Sequence, residues 1–189
     1  MSAEGPMWKA EFRPMTREER AELRRMAESS SGKGSWIRRL FGRAAEHGPQ
    51  HGALHRDLDC GKVQVIHAAP RAAVRLAHPD GSLAGFFVDI GQGLLMFIES
   101  REWDAHAEKP GFERLFPCSR FSLVRAPHSG VDLEFRCEGL RFEAAREIDA
   151  PPLEILDAFI QDGEIMPGRL ETLEQDLDRL AHVTPRYVK

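Results

Sequence analysis

A histidine and a serine stand side by side, His128 and Ser129, inside "RAPHSGVDLEFRC" (125–137). These are the residue types of a nucleophile and its base. A serine nucleophile, however, needs its base presented across a gap built by the fold, and a third group to orient that base. Neighbours in a turn point apart, and the chain holds no G-x-S-x-G elbow. Pro127 and Gly130 bracket the pair with the residues a tight turn demands. The expectation is a hairpin tip rather than a catalytic centre.

A second cluster is "HGPQHGALHRDLDC" (47–60). His47, His51 and His55 are spaced by four, with Asp57, Asp59 and Cys60 behind them. On a helix that spacing would put imidazoles on one face, as zinc requires. Gly48, Pro49 and Gly52 argue for a loop instead. No bound metal and no cofactor is expected.

Three cysteines, Cys60, Cys118 and Cys137, are odd in number and widely spaced, so no disulfide framework is read from them. A reducing cytoplasm fits that usage. Cys137 lies on the apolar phase of its strand and reads as core, whereas Cys118, close to Arg120, is expected to be partly exposed. Carboxylates fall on strand-like segments at Asp89, Glu99, Asp132, Glu134 and Glu143. Asp89 stands among apolar neighbours in "FFVDIGQG", where the simplest role is to bond the GQG backbone. If a polar site exists, its candidates are Asp89, Trp103, His106 and His128, near the aromatic-rich connection 100–119.

A fourth feature is a short basic amphipathic stretch, "SWIRRLFGRAAE" (35–46). Trp36, Ile37, Leu40 and Phe41 recur at helical spacing, with Arg38, Arg39 and Arg43 on other faces. Its apolar face must be covered by the chain's own body, a partner protein or second copy, or, less favoured, a membrane surface. These seven residues are the candidate partner-binding set.

The elements that position these residues follow from periodicity. Residues 16–28 read as a helix opened by a Thr16–Glu19 capping box, with "SSSGKGS" (29–35) as a flexible linker. From Lys62 the period becomes two. "KVQVIHA" and "AAVRLAH" are strands, Asp80-Gly81 marks a hairpin, and "GQG" (91–93) joins two nearly all-apolar strands expected at the sheet centre. "RFSLVRAP" and "VDLEFRC" flank the His-Ser turn, and in the latter Phe135 is on the inward phase. "CEGLRFEA" is a further turn, 152–160 a short helix, and 169–182 a helix with a Leu170, Leu173, Leu177, Leu180 stripe.

At 189 residues the chain is one domain with appendages, or two small ones. Its net charge of −4 gives no polyanion-binding signal. Residues 1–50 hold ten Lys/Arg against seven Asp/Glu, a mildly basic arm on an acidic remainder. No apolar run is long enough for a membrane span, and the N-terminus has no signal-peptide core. Seven strands between 62 and 147, joined mostly by hairpins, predict an α+β or mainly β fold, a small antiparallel barrel or sandwich. The expected organisation is a helical arm (1–50), a β domain (51–150) and a C-terminal helical segment (151–189). Two function classes follow. The first is a non-enzymatic binding or assembly module, self-associating or meeting a protein partner, with no nucleic acid. The second is an enzyme or small-molecule-binding domain with a polar site near 100–119.

Overall fold

A computed structural model describes residues 7–31, 51–100, 112–151 and 162–182. The described elements are β1 (Trp8–Pro14), α1 (Arg17–Ser31), α2 (His51–Cys60), β2 (Lys62–Ala68), β3 (Ala73–Ala77), β4 (Leu83–Asp89), β5 (Leu94–Glu99), α3 (Phe112–Leu115), β6 (Phe121–Arg125), β7 (Asp132–Cys137), β8 (Arg146–Asp149), β9 (Ile165–Pro167) and α4 (Leu173–His182). The fold is α+β. Its strands form two open sheets, in the orders β1-β2-β6-β7 and β8-β3-β4-β5-β9. No closed barrel is formed among the described residues, which departs from the barrel favoured by the strand pattern. The reason lies in two connections. "APRA" (69–72) makes no hairpin, so β2 and β3 fall in different sheets. β8 pairs with β3 in parallel, so it arrives by a crossover and not by a tight turn.

The contacts divide the chain into two units. One comprises Met1–Trp8, Ala68–Phe121 and Cys137–Lys189, the other Lys9–His67 and Ser122–Arg136. In the first, β4 and β5 are central and their interior residues are all buried, as their apolar runs predict. Asp80-Gly81 closes the β3–β4 hairpin. Gly81 takes φ 82°, and Asp80 Oδ1 accepts from Ser82 N at 2.9 Å. A bulge between Leu76 and Ala77 faces Gly85, whose place allows no side chain: a Cβ there would lie 2.5 Å from Ile98 O. Val74, Leu76, Phe87, Leu95, Phe97 and Ile148 form a core on which Leu173 and Leu177 of α4 dock. Leu170, Leu173 and Leu177 of the expected stripe therefore pack on the sheet, though the helix starts at Leu173 and not at 169. Of the aromatic weight in 100–119, Phe116 is fully buried, edge-on to Phe86 and Phe121 at 5.3 and 5.5 Å.

In the second unit α1 keeps its capping box: Thr16 N donates to Glu19 Oε2 at 2.7 Å, and Glu19 N to Thr16 Oγ1 at 3.2 Å. The helix continues to Ser31, so the first serines of the expected linker are helical. Leu23 and Ala27 pack with Leu54 and Ala126, joined by Met15, Met26, Leu58, Val131 and Leu133. The expected loop at 47–57 is corrected in part by α2. Pro49 precedes that helix, and Gly52 sits in its first turn, where a missing side chain costs least. Ala53, Leu54 and Leu58 supply the apolar stripe. Gly61 ends the helix at φ 64°, and Arg20 Nη1 of α1 donates to the Leu58 carbonyl at 3.0 Å.

Candidate functional site

The His128–Ser129 pair sits where the sequence places it, on the turn between β6 and β7. Ala126 N donates to Val131 O at 2.8 Å, and Gly130, with φ 70°, donates back to Ala126 O at 2.9 Å. The backbone of both residues is held by one carboxylate. His128 N donates to Asp57 Oδ1 at 2.7 Å and Ser129 N to Asp57 Oδ2 at 2.9 Å. Ser129 Oγ accepts a 3.4 Å hydrogen bond from Val131 N. The serine hydroxyl thus belongs to the turn, and the histidine is exposed.

Asp57 is fully buried, and a carboxylate out of water needs partners. It finds them in two backbone N–H groups that the turn aims at one point. Helix α2 presents the carboxylate, and the hairpin supplies the donors. Below the turn, Arg125 grips Asp132 by two bonds, Nε–Oδ1 at 2.8 Å and Nη2–Oδ2 at 3.1 Å. The Asp132 side chain is only 2% exposed, so the polar phase of β7 is not uniformly wet. Its apolar phase is only partly covered: Leu133, which packs against the core, and Phe135 on the same phase are both half-buried. β7 is an edge strand of its sheet, which leaves both faces partly covered.

Asp89 behaves as its sequence context suggests. Its Oδ1 accepts from Gly91 N at 2.8 Å and pins a turn in which Gly91, Gln92 and Gly93 all take positive φ. The cysteines are the reverse of expectation. Cys118 is buried, Cys137 is half-buried and Cys60 is exposed. A hydrogen bond from the Cys137 thiol draws the Cys118 pKa below its usual value, against the upward push of burial, and backbone groups of Arg120, Gly139 and Glu138 add to it. The same bond, with burial, pushes the Cys137 thiol well above the ordinary range. Two thiols 19 residues apart in sequence therefore meet, a pairing that spacing alone cannot reveal. No group of three or more His, Cys, Asp or Glu side chains suited to a metal occurs among the described residues. His55 and Asp59 are exposed on α2, while Asp57 is turned inward.

One element was absent from the sequence reading. β1, "WKAEFRP", is an edge strand, paired among the described residues only with β2, and its four residues Lys9 to Phe12 are all exposed. Met15 N donates to Gly61 O at 2.9 Å and Ala69 N to Met7 O at 2.8 Å, which fixes β1 and β2 as antiparallel. In such a ladder alternate residues bond the neighbour. The odd-numbered residues of β1 therefore face β2, and the N–H and C=O groups of Trp8, Ala10 and Phe12 point out of the sheet. Pro14, which has no N–H, occupies the same outward phase. The alternation of Trp8, Ala10 and Phe12 was the available signal, masked by Lys9 and Glu11.

Trp36, Ile37, Arg38, Arg39, Leu40, Phe41, Arg43, Trp103 and His106 lie outside the described residues, as does His47. No helix among the described residues is long and apolar enough to cross a membrane. Comparisons with protein-family models, curated proteins and solved structures gave no match.

Proposed function

We propose that this chain is a non-enzymatic binding or assembly module that receives its partner by strand addition at β1. The observation that carries this reading is the state of that strand: exposed on both faces from Lys9 to Phe12, with its outward amides unshared in the sheet and Phe12 61% exposed. An edge of this kind offers main-chain hydrogen bonds for affinity, and alternating side chains for selection. A second feature supports a module over an enzyme. Three of the polar groups that sequence singles out for chemistry are engaged in building turns: Asp57 under 127–130, Asp89 under 91–93 and Ser129 within its own hairpin.

The test uses the full chain and a labelled peptide of the sequence Met7–Pro14. Saturable binding, weakened at least tenfold by Ala10→Pro in the protein, is the expected result. Proline at an outward position removes a donor from the open edge without touching the β2 ladder. Absence of binding, or binding indifferent to Ala10→Pro, overturns the reading.

A further inference from the structure

Resting on that edge-binding reading, we infer that the strand received at β1 is the β1 of a second copy of this chain, antiparallel and centred on Ala10. The inference comes from a symmetry in the strand. A two-fold axis between the two Ala10 residues sets Lys9 opposite Glu11 of the second copy, and Glu11 opposite its Lys9. The same axis sets Phe12 opposite Trp8 of the second copy. On either side of the central Ala10–Ala10 pair, the facing residues are thereby opposite in charge or aromatic on both sides, the combinations that favour cross-strand pairing. A one-residue shift would turn the outward amides away from one another.

The backbone phase agrees with this centre. Ala10 is one of the residues whose N–H and C=O point outward, so the two Ala10 residues form a hydrogen-bonded pair that exchanges both bonds. Trp8 and Phe12 share that phase and extend the ladder on either side. Pro14 ends it, since it has no donor to give. The charges are available. The Lys9 and Glu11 side chains are 68% and 54% exposed, and their own contact within the strand is a long 3.5 Å pair. Glu11 also lies 3.5 Å from His67, on the same face, which leaves the opposite face to Phe12. In this geometry Phe12, 61% exposed, lies beside the Trp8 ring of the second copy and gives up part of its contact with water. The contact is small beside the roughly 1,600 Å² of standard stable complexes. The dimer is therefore concentration-dependent, and it weakens with salt because its charges lie at the surface.

Sedimentation equilibrium of the full chain and three variants tests the register. Wild type is expected to show a monomer–dimer equilibrium. Lys9→Glu and Glu11→Lys each place like charges opposite one another twice, by symmetry, and each is expected to weaken the dimer at least tenfold. The double variant Lys9→Glu/Glu11→Lys restores opposite pairs and is expected to recover dimerisation. Thermal melts of the monomers check that folding is unchanged. A wild type that stays monomeric, singles that dimerise normally, or a double variant that fails to recover each overturns the inference. A monomeric chain that still binds the Met7–Pro14 peptide would sink the second-copy inference alone and leave the edge-binding reading standing.

Discussion

The carboxylate of Asp57 holds the backbone of His128 and Ser129, accepting one hydrogen bond on each oxygen at 2.7 and 2.9 Å. A helix and a hairpin tip 71 residues apart are thereby joined through a fully buried charge. Charge-assisted bonds of this kind are worth about 1.5–3 kcal/mol each. Asp57→Ala is expected to lower unfolding free energy by about 2–4 kcal/mol, since it leaves two donors without their acceptor. Asp57→Asn keeps one acceptor and sets an N–H against an N–H, so it should cost about half as much. Denaturant melts decide this, and a neutral Asp57→Ala would show that the turn holds itself.

Ion pairing at the entry to α1 gives a pH dependence with a definite sign. Burial pushes the Glu19 carboxyl up. The hydrogen bond from Arg13 and that from Thr16 N more than offset it and hold the pKa below its ordinary value. Arg13 Nη1 lies 2.9 Å from Glu19 Oε2. A carboxylate depressed in the folded state stabilises fully above its unfolded pKa, about 4.3, and loses that contribution as pH falls toward the lower folded value. Glu19→Gln retains a capping acceptor and loses the charge. Wild type should exceed it by about 1 kcal/mol at neutral pH, a figure discounted for the part-exposed Arg13. The gap should close below about pH 4. A gap that widens in acid would contradict the assignment.

Thiol accessibility is expected to separate the three cysteines. Cys60 is exposed, Cys118 is buried and Cys137 is half-buried against it. A thiol reagent should label one cysteine rapidly in the native chain, and Cys60→Ser should abolish that fast phase. The other two should react fully only on unfolding. A fast phase that survives Cys60→Ser would mean that the Cys118–Cys137 pair opens readily in the native state.

Gly85 is expected to tolerate no side chain. An added Cβ meets Ile98 O at 2.5 Å and the Phe97 ring at 2.8 Å, in the middle of the five-stranded sheet. Gly85→Ala should cost about 1–3 kcal/mol in a denaturant melt through overpacking. A stabilised variant would show that β4 and β5 separate more easily than their ladder implies.

The central sheet was legible because β4 and β5 are apolar runs punctuated by Asp80-Gly81 and GQG, and both turns formed as read. The capping box at Thr16 and Glu19 was equally local, hence equally readable. What escaped depends on distant partners. α2 was hidden by glycine and proline near its start, and its stability comes from Leu54 packing against α1. Asp57 reads in sequence only as one acid behind a histidine cluster, because its donors lie on a hairpin far along the chain. β8 pairs in parallel across a long connection, which no local turn announces. β1 has the period of a strand but the charges of a loop, and only the outward phase of Ala10 gives those charges a meaning.

Amide hydrogen exchange along β1, followed residue by residue by NMR at low and high protein concentration, bears most directly on the role given to that edge. Lys9, Glu11 and Arg13 bond to β2 in this account, so their amides should be protected at every concentration. Ala10 and Phe12 point outward, so their amides should exchange quickly in dilute solution and slow together as concentration rises, with Lys9→Glu holding them fast throughout. Equal exchange of Ala10 and Phe12 at all concentrations would contradict the assembly edge. Protection of the odd-numbered amides that itself varied with concentration would contradict the phase of the strand on which the account rests.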